Sequence, residues 1–245
     1  MNRFGLIGFP LNNSFSANLF NKKFKQLGLA DFVYQNFEIE NSNQLTELLQ
    51  QHRDIKGLNV TIPHKQSIIP FLTTLDETAA AVNAVNCIQI TKNELIGYNT
   101  DVIGFEQSLL PLIVTNNPKK ALILGTGGAA KAVGYVLRKH NIQYTQVSRA
   151  KTANTITYHE LTKEILSTHL LIVNCTPLGM FPYTQFLPAI PYAFISNKHI
   201  AYDLIYTPEE TLFLTQCKNE GAVIKNGLEM LHLQAEKSWE IWKLK

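Results

Sequence analysis

Apolar and polar positions alternate between two periods along the first hundred residues. Residues 3–9 form a short apolar run with the pattern of a buried strand. Leu19, Phe20, Phe24 and Leu27 then recur at helical spacing over 16–28, with Gly28 as a stop signal. Residues 32–37 read as a second strand, and 44–52 as a helix buried through Leu45, Leu48 and Leu49. A short strand follows over 57–61, and Pro63 suits the first turn of another helix. This β-α-β-α-β order implies a parallel sheet. Residues 84–91 and 95–99 flank a Lys92-Asn93 turn and predict a β-hairpin. Asp101 is expected to cap a helix running to about residue 110, with Pro111 as its stop.

The polar stretch Thr115-Asn116-Asn117-Pro118 is the best linker in the chain. After it the alternation restarts. Strands are predicted at 121–124, 143–147, 170–174, 199–204 and 222–225, and helices at 129–140, 208–220 and 228–242. The last helix carries Leu231, Ala235, Trp239 and Trp242 on its apolar side. Such an order implies a doubly wound α/β domain. No repeat of fixed period is present.

Composition narrows the function classes. The 245 residues are 45% hydrophobic and 17% charged, enough to build two cores. A net charge of +3 with no basic stripe argues against a nucleic-acid partner. Cys87, Cys175 and Cys217 form no CxxC pair, which points to reduced thiols rather than disulfides or zinc. No His, Cys or Asp cluster has metal-ligand spacing, so no metal is expected. The start MNRFGLIGFP is too short and broken for a signal peptide, and no run reaches the ~20 apolar residues that span a bilayer. A cytoplasmic protein without a membrane partner is the expectation.

Candidate chemistry lies at predicted strand ends. Gly125-Thr126-Gly127-Gly128-Ala129 follows a strand and opens a helix, the context in which small residues admit a pyrophosphate to a helix N-terminus. The next strand ends in Ser148-Arg149-Ala150-Lys151, with a cation where NAD enzymes place an acid. Arg149 therefore suits a 2′-phosphate, to which Lys151 would add charge. In the first half, Asn59-Val60-Thr61-Ile62-Pro63-His64-Lys65, Tyr98-Asn99-Thr100-Asp101 and Ser14-Phe15-Ser16 each follow a strand. Three such clusters suggest one site for a polyhydroxylated ligand, since hydroxyls and amides both donate and accept. Lys65 beside a carboxylate would supply a proton for ketone reduction. His64 reads as a structural residue at a helix start, and Cys175 as a packing residue.

These segments, with Ala84-Val85-Asn86, Asn174-Cys175-Thr176-Pro177-Leu178-Gly179-Met180 and 227–234, resemble the shikimate dehydrogenase family over nearly the whole chain. The resemblance implies an α/β fold in two domains. One is a substrate domain of residues 1–101 and 226–245 with a mixed, mainly parallel sheet. The other is a Rossmann-like NADP domain of residues 102–225, and the C-terminal helix returns to the substrate domain. It implies reduction of 3-dehydroshikimate to shikimate with NADPH, with Lys65 and Asp101 as the catalytic pair. Ser14, Ser16, Asn59, Thr61, Asn86, Tyr206 and Gln234 would bind substrate. Gly125, Thr126, Gly127, Gly128, Ala129 and Arg149 would bind the cofactor's phosphates, and Glu77, Thr176, Leu204 and Gly227 would lie on its nicotinamide side. A monomer or homodimer is expected. A quinate or quinate/shikimate dehydrogenase, or an NADP sensor without catalysis, is the alternative on the same fold. The run after Arg149 departs from the family, which commonly carries a second Arg there.

Overall fold

The computed structural model describes residues 1–11 and 15–243. The chain divides into two compact units, Met1–Thr100 with Ala235–Lys245, and Asp101–Gln234.

The first unit runs β1 (Asn2–Gly8), α1 (Phe15–Gln26), β2 (Phe32–Glu38), α2 (Leu45–Gln51), β3 (Ile55–Val60), α3 (His64–Ser67), β4 (Thr74–Leu75), α4 (Glu77–Val82), β5 (Cys87–Ile90) and β6 (Leu95–Tyr98). Its sheet has the order β2-β1-β3-β5-β6-β4. β1 pairs parallel with β2 and β3, whereas β5 is antiparallel to both β3 and β6, so the sheet is mixed. Both faces are covered, and period-2 alternation divides the side chains between two cores. Phe4, Leu6 and Cys87 pack with Phe20, Phe24, Tyr34, Trp239 and Trp242. Ile7, Leu58, Val60 and Ile88 pack on the other side with Leu45, Leu48 and Ile68. Asp76 accepts a hydrogen bond from Ala79 N at 2.8 Å and so caps α4. The sequence reading did not anticipate α4, and β4 is too short to show a period.

The second unit contains β7 (Lys120–Leu124), α6 (Gly128–Lys139), β8 (Gln143–Ser148), β9 (Thr155–Thr157), α7 (Lys163–Thr168), β10 (Leu171–Asn174), β11 (Ile200–Asp203), α8 (Leu212–Asn219) and β12 (Val223–Lys225). All these strands are parallel, in the order β12-β11-β10-β7-β8-β9. That is the doubly wound dinucleotide-binding order, and its switch point lies between β7 and β10. Leu122, Leu124, Val147, Ile172, Ala201 and Phe213 fill its core.

Two long helices belong partly to each unit, α5 (Thr100–Asn116) and α9 (Leu228–Lys243). The second half of α9 supplies Ala235, Trp239 and Trp242 to the first unit's core. Pro111 does not end α5 as expected but lies inside it. A proline removes one intrahelical bond, and the flanking turns carry the helix past it. The stop comes at Asn117, whose φ of 44° is left-handed and whose N–H reaches Ile113 O at 2.8 Å. Asp101 accordingly lies inside the first turn of α5 rather than at its cap. α8 starts at Leu212, later than the expected residue 208, because Thr211 caps it by accepting from Leu214 N at 3.4 Å.

Candidate active site

In the first unit, β1, β3 and β6 end at one edge of the sheet. β5 pairs Cys87 with both Asn59 and Tyr98, so β3 and β6 run in the same direction. Beyond the strands, Thr61 N donates to Ile7 O at 2.9 Å, Val60 N to Asn86 O at 2.8 Å, and Asn86 N to Tyr98 O at 3.0 Å. The dipeptide Ala84-Val85 then ties two motifs together. Val85 N donates to the Lys65 carbonyl at 2.7 Å, and Asn99 Nδ2 donates to the Ala84 carbonyl at 2.8 Å. Thr100 N reaches Asn86 Oδ1 at 2.6 Å, and the buried Asp101 follows directly. The segments carrying Lys65 and Asn99 are thus fixed to one another by short backbone-anchored bonds.

A buried polar chain lies beneath this edge. Tyr34 donates its hydroxyl proton to Asn59 Oδ1 at 2.8 Å, and Ser16 bonds the same hydroxyl. Burial holds the Tyr34 hydroxyl well above its ordinary pKa, so it stays a donor. Asn59 Nδ2 donates to Ser238 Oγ at 2.9 Å and to Asn86 O at 3.2 Å. Ser238 Oγ also contacts Thr100 Oγ1 at 3.2 Å, and Asn86 Nδ2 donates to Thr100 Oγ1 at 2.9 Å. Ser16, Asn59, Asn86 and Thr100 are therefore one network. The sequence reading missed Tyr34 and Ser238. The available signal was a hydroxyl tip in the apolar run of β2 and a Ser on the apolar side of α9. Ser14 lies outside the described residues. His64 is buried, with Nδ1 on Ser42 Oγ at 3.0 Å and Nε2 on Ile39 O at 2.6 Å, which holds the start of α3 in place.

In the second unit, α5 and α9 meet at Gly104. A Cβ there would lie 2.6 Å from Met230 O and 3.0 Å from Gln234 Cβ. Asp101 is one turn earlier on the same helix face, so Gln234 packs on the face that carries it. Gly227 is pressed against the Leu204 backbone, where a Cβ would lie 2.6 Å from the carbonyl carbon, and its N–H bonds Ile205 O at 3.0 Å. Two residues along, Tyr206 is partly buried, and burial raises its hydroxyl pKa.

Asp203, at the end of β11, organises these turns. It accepts from Thr211 Oγ1 at 2.6 Å, from Ile205 N at 3.0 Å and from Asn174 Nδ2 at 3.0 Å. Burial raises its pKa to about 6, against the lowering effect of those bonds. Asn174 Oδ1 in turn accepts from the N–H and hydroxyl of Thr176 at 3.0 and 2.7 Å. Sequence reasoning gave neither Asp203 nor Asn174 a role, because a buried carboxylate at a strand end has no local signature. Cys175 sits in this loop with its thiol pKa raised by burial, the state of a packing residue.

The glycine turn fits a pyrophosphate. Gly125 has φ of +111°, and a Cβ would press at 3.3 Å on Cys175 O and Thr176 Cγ2. A Cβ on Gly127 would meet nothing within 4 Å, and this residue caps α6 without a side-chain bond. Open backbone at a helix N-terminus beside a sheet's switch point is an anion cradle. Thr126 is exposed there, and Gly128 and Ala129 open the helix. Arg149 is exposed at the end of β8. Lys151, expected to add charge there, is instead ion-paired with Glu160. Glu77 opens α4 with an exposed side chain, in the first unit, apart in the chain from the other expected cofactor residues. Among the described residues, no group of three or more His, Cys, Asp or Glu is placed to hold a metal, and no helix is long and apolar enough to cross a membrane.

Comparison with known proteins settles the ancestry. Residues 6–88 match the family model for the shikimate dehydrogenase substrate binding domain. The NADP(+) shikimate dehydrogenase of Methanococcus vannielii is 36% identical over 259 residues, covering 97% of this chain and 90% of that protein. The chain belongs to the shikimate dehydrogenase family. The crystal structure of the Aquifex aeolicus shikimate dehydrogenase superposes with a TM-score of 0.88 at 32% identity, covering 99% of this chain and 92% of that one. The Thermus thermophilus enzyme in complex with NADP(H) and shikimate superposes with a TM-score of 0.85 at 27% identity, over 99% and 94% of the two chains. Within this family the mixed sheet, the doubly wound sheet and the returning α9 take their expected places.

Proposed function

We propose that this shikimate dehydrogenase family member interconverts 3-dehydroshikimate and shikimate with NADP, in the cytoplasm, as a monomer or homodimer. The observation that carries this reading is the Ala84-Val85 clamp. It fixes the Lys65 segment to Asn99, two residues before Asp101. When bound, the nicotinamide supplies or takes the hydride at the substrate's C3. In the direction of reduction, Lys65 donates its ammonium proton to the C3 carbonyl oxygen as the C–H bond forms. Asp101 holds the ammonium and the nascent hydroxyl in line. A positioned acid of this kind is worth ~10²–10⁴ in rate.

Ser14 and Ser16 bind the substrate carboxylate in this scheme, and Thr61, Asn86, Tyr206 and Gln234 hold carboxylate or ring hydroxyls. Asn59 contributes mainly through its bonds to Tyr34 and Ser238, which keep the edge rigid. Gly125 to Ala129 carry the pyrophosphate and Arg149 the 2′-phosphate, while Thr176, Leu204, Gly227 and Glu77 contribute to the nicotinamide side.

The test is to incubate the purified chain with shikimate and NADP+ and identify the products. NADPH and 3-dehydroshikimate in equal amounts are expected. Lys65→Ala should lose about a hundredfold or more of the turnover while NADP+ binding survives. Absence of product from the parent chain, or unchanged turnover in Lys65→Ala, would overturn the reading.

A further inference from the structure

The cofactor's phosphate end contains an acid that the NADP reading does not require. β8 and β9 lie side by side and end together, with Ser148 opposite Thr157. Arg149 and Lys151 leave the end of β8, and Glu160 lies in the turn after β9. Glu160 is anchored from two sides. Its Oε2 accepts from Thr157 N at 2.8 Å and Thr157 Oγ1 at 3.0 Å, and its Oε1 is ion-paired with Lys151 Nζ. Arg149 is close enough for its charge to act on Tyr158, two residues before Glu160.

We propose that Glu160 is a specificity-determining residue. By holding Lys151 and placing a negative charge near the 2′-phosphate position, it leaves Arg149 as the working cation and narrows the preference for NADP over NAD. The inference rests on the assignment of Arg149 to the 2′-phosphate. The Lys151 ammonium and, after it, the hydrogen bonds from Thr157 hold the Glu160 carboxyl at about 2, so it is charged at any pH where the enzyme works. In the parent chain the Glu160 carboxylate competes with the 2′-phosphate for the Lys151 ammonium, and an ammonium released onto a phosphate forms a charge-assisted hydrogen bond. Releasing Lys151 therefore has a measurable effect on a ligand carrying that phosphate and none on a ligand lacking it. Glu160→Gln keeps an oxygen for the Thr157 N–H, so the turn retains its cap.

The experiment measures dissociation constants of 2′,5′-ADP and of 5′-AMP by calorimetry at low salt. Glu160→Gln is expected to bind 2′,5′-ADP about fivefold more tightly, with 5′-AMP unchanged. Lys151→Ala is expected to weaken 2′,5′-ADP in the parent chain, where it leaves the Glu160 charge unpaired, to leave 5′-AMP unchanged, and to abolish the gain in the Glu160→Gln background. Arg149→Ala is the control, expected to weaken 2′,5′-ADP alone. If Arg149→Ala weakens 2′,5′-ADP but Glu160→Gln leaves it unchanged, the role of Glu160 is overturned and the phosphate site stands. If Arg149→Ala has no effect on 2′,5′-ADP, the phosphate site itself is misassigned and the proposal falls with it.

Discussion

Tyr34 and Asn59, 25 residues apart in sequence, share a buried 2.8 Å hydrogen bond that joins β2 to β3 beneath the edge carrying Lys65. The tyrosine stacks on Phe20 with ring centroids 4.6 Å apart, so its hydroxyl is the one polar tip of an aromatic body. Tyr34→Phe would keep that packing and leave Asn59 Oδ1 without this donor. A buried acceptor that loses its partner costs about 1–3 kcal/mol. Urea denaturation should show a loss in that range, accompanied by a raised KM for shikimate as the Asn86–Thr100 segment loosens. A midpoint unchanged from the parent would show that the bond does not hold the edge.

Gly227 offers a steric test. Its missing Cβ would overlap the Leu204 carbonyl group, which is backbone and cannot swing aside. Overpacking of this kind costs about 1–3 kcal/mol or more. Gly227→Ala should lower the thermal midpoint and reduce turnover together, because Leu204, Ile205 and Tyr206 would shift as one turn. Normal stability with normal kinetics would contradict the tight contact.

Asp203 gives stability a distinct pH signature. In the folded chain burial raises its pKa to about 6, against an ordinary value of 3.8. Between those values the folded state holds the proton more often than the unfolded state does. Its contribution to stability therefore falls as pH rises from 4 through 6 and stays lost above that. Asp203→Asn removes the titration. The difference in unfolding free energy, parent minus variant, should fall by on the order of 3 kcal/mol between pH 4 and 7. A flat difference across that range would show that the carboxyl is not strained by burial.

How far the chain could be read beforehand depended on the range of the interaction. The elements with a clear period, the hairpin around Lys92-Asn93 and the glycine turn are local and occur in the expected order, whereas the short β4, α4, β9 and α7 carry no period and were not anticipated. Pro111 misled because a proline inside a long helix costs one bond, which the packing of α5 overcomes. The bonds of Asp203 to Thr211 and Asn174 and the Tyr34–Asn59–Ser238 chain join residues 8 to 179 positions apart, and no sequence period records such pairings. The Lys151–Glu160 pair was hidden for the same reason. Lys151 alone reads as a phosphate ligand, and only the pairing of β8 with β9 brings Glu160 to it.

The central claim concerns which acid is oxidised and with which cofactor. Initial rates with shikimate and quinate, each against NADP+ and NAD+, test it directly. The account predicts the highest kcat/KM for shikimate with NADP+. A larger value for quinate, or for NAD+ with either acid, would contradict it.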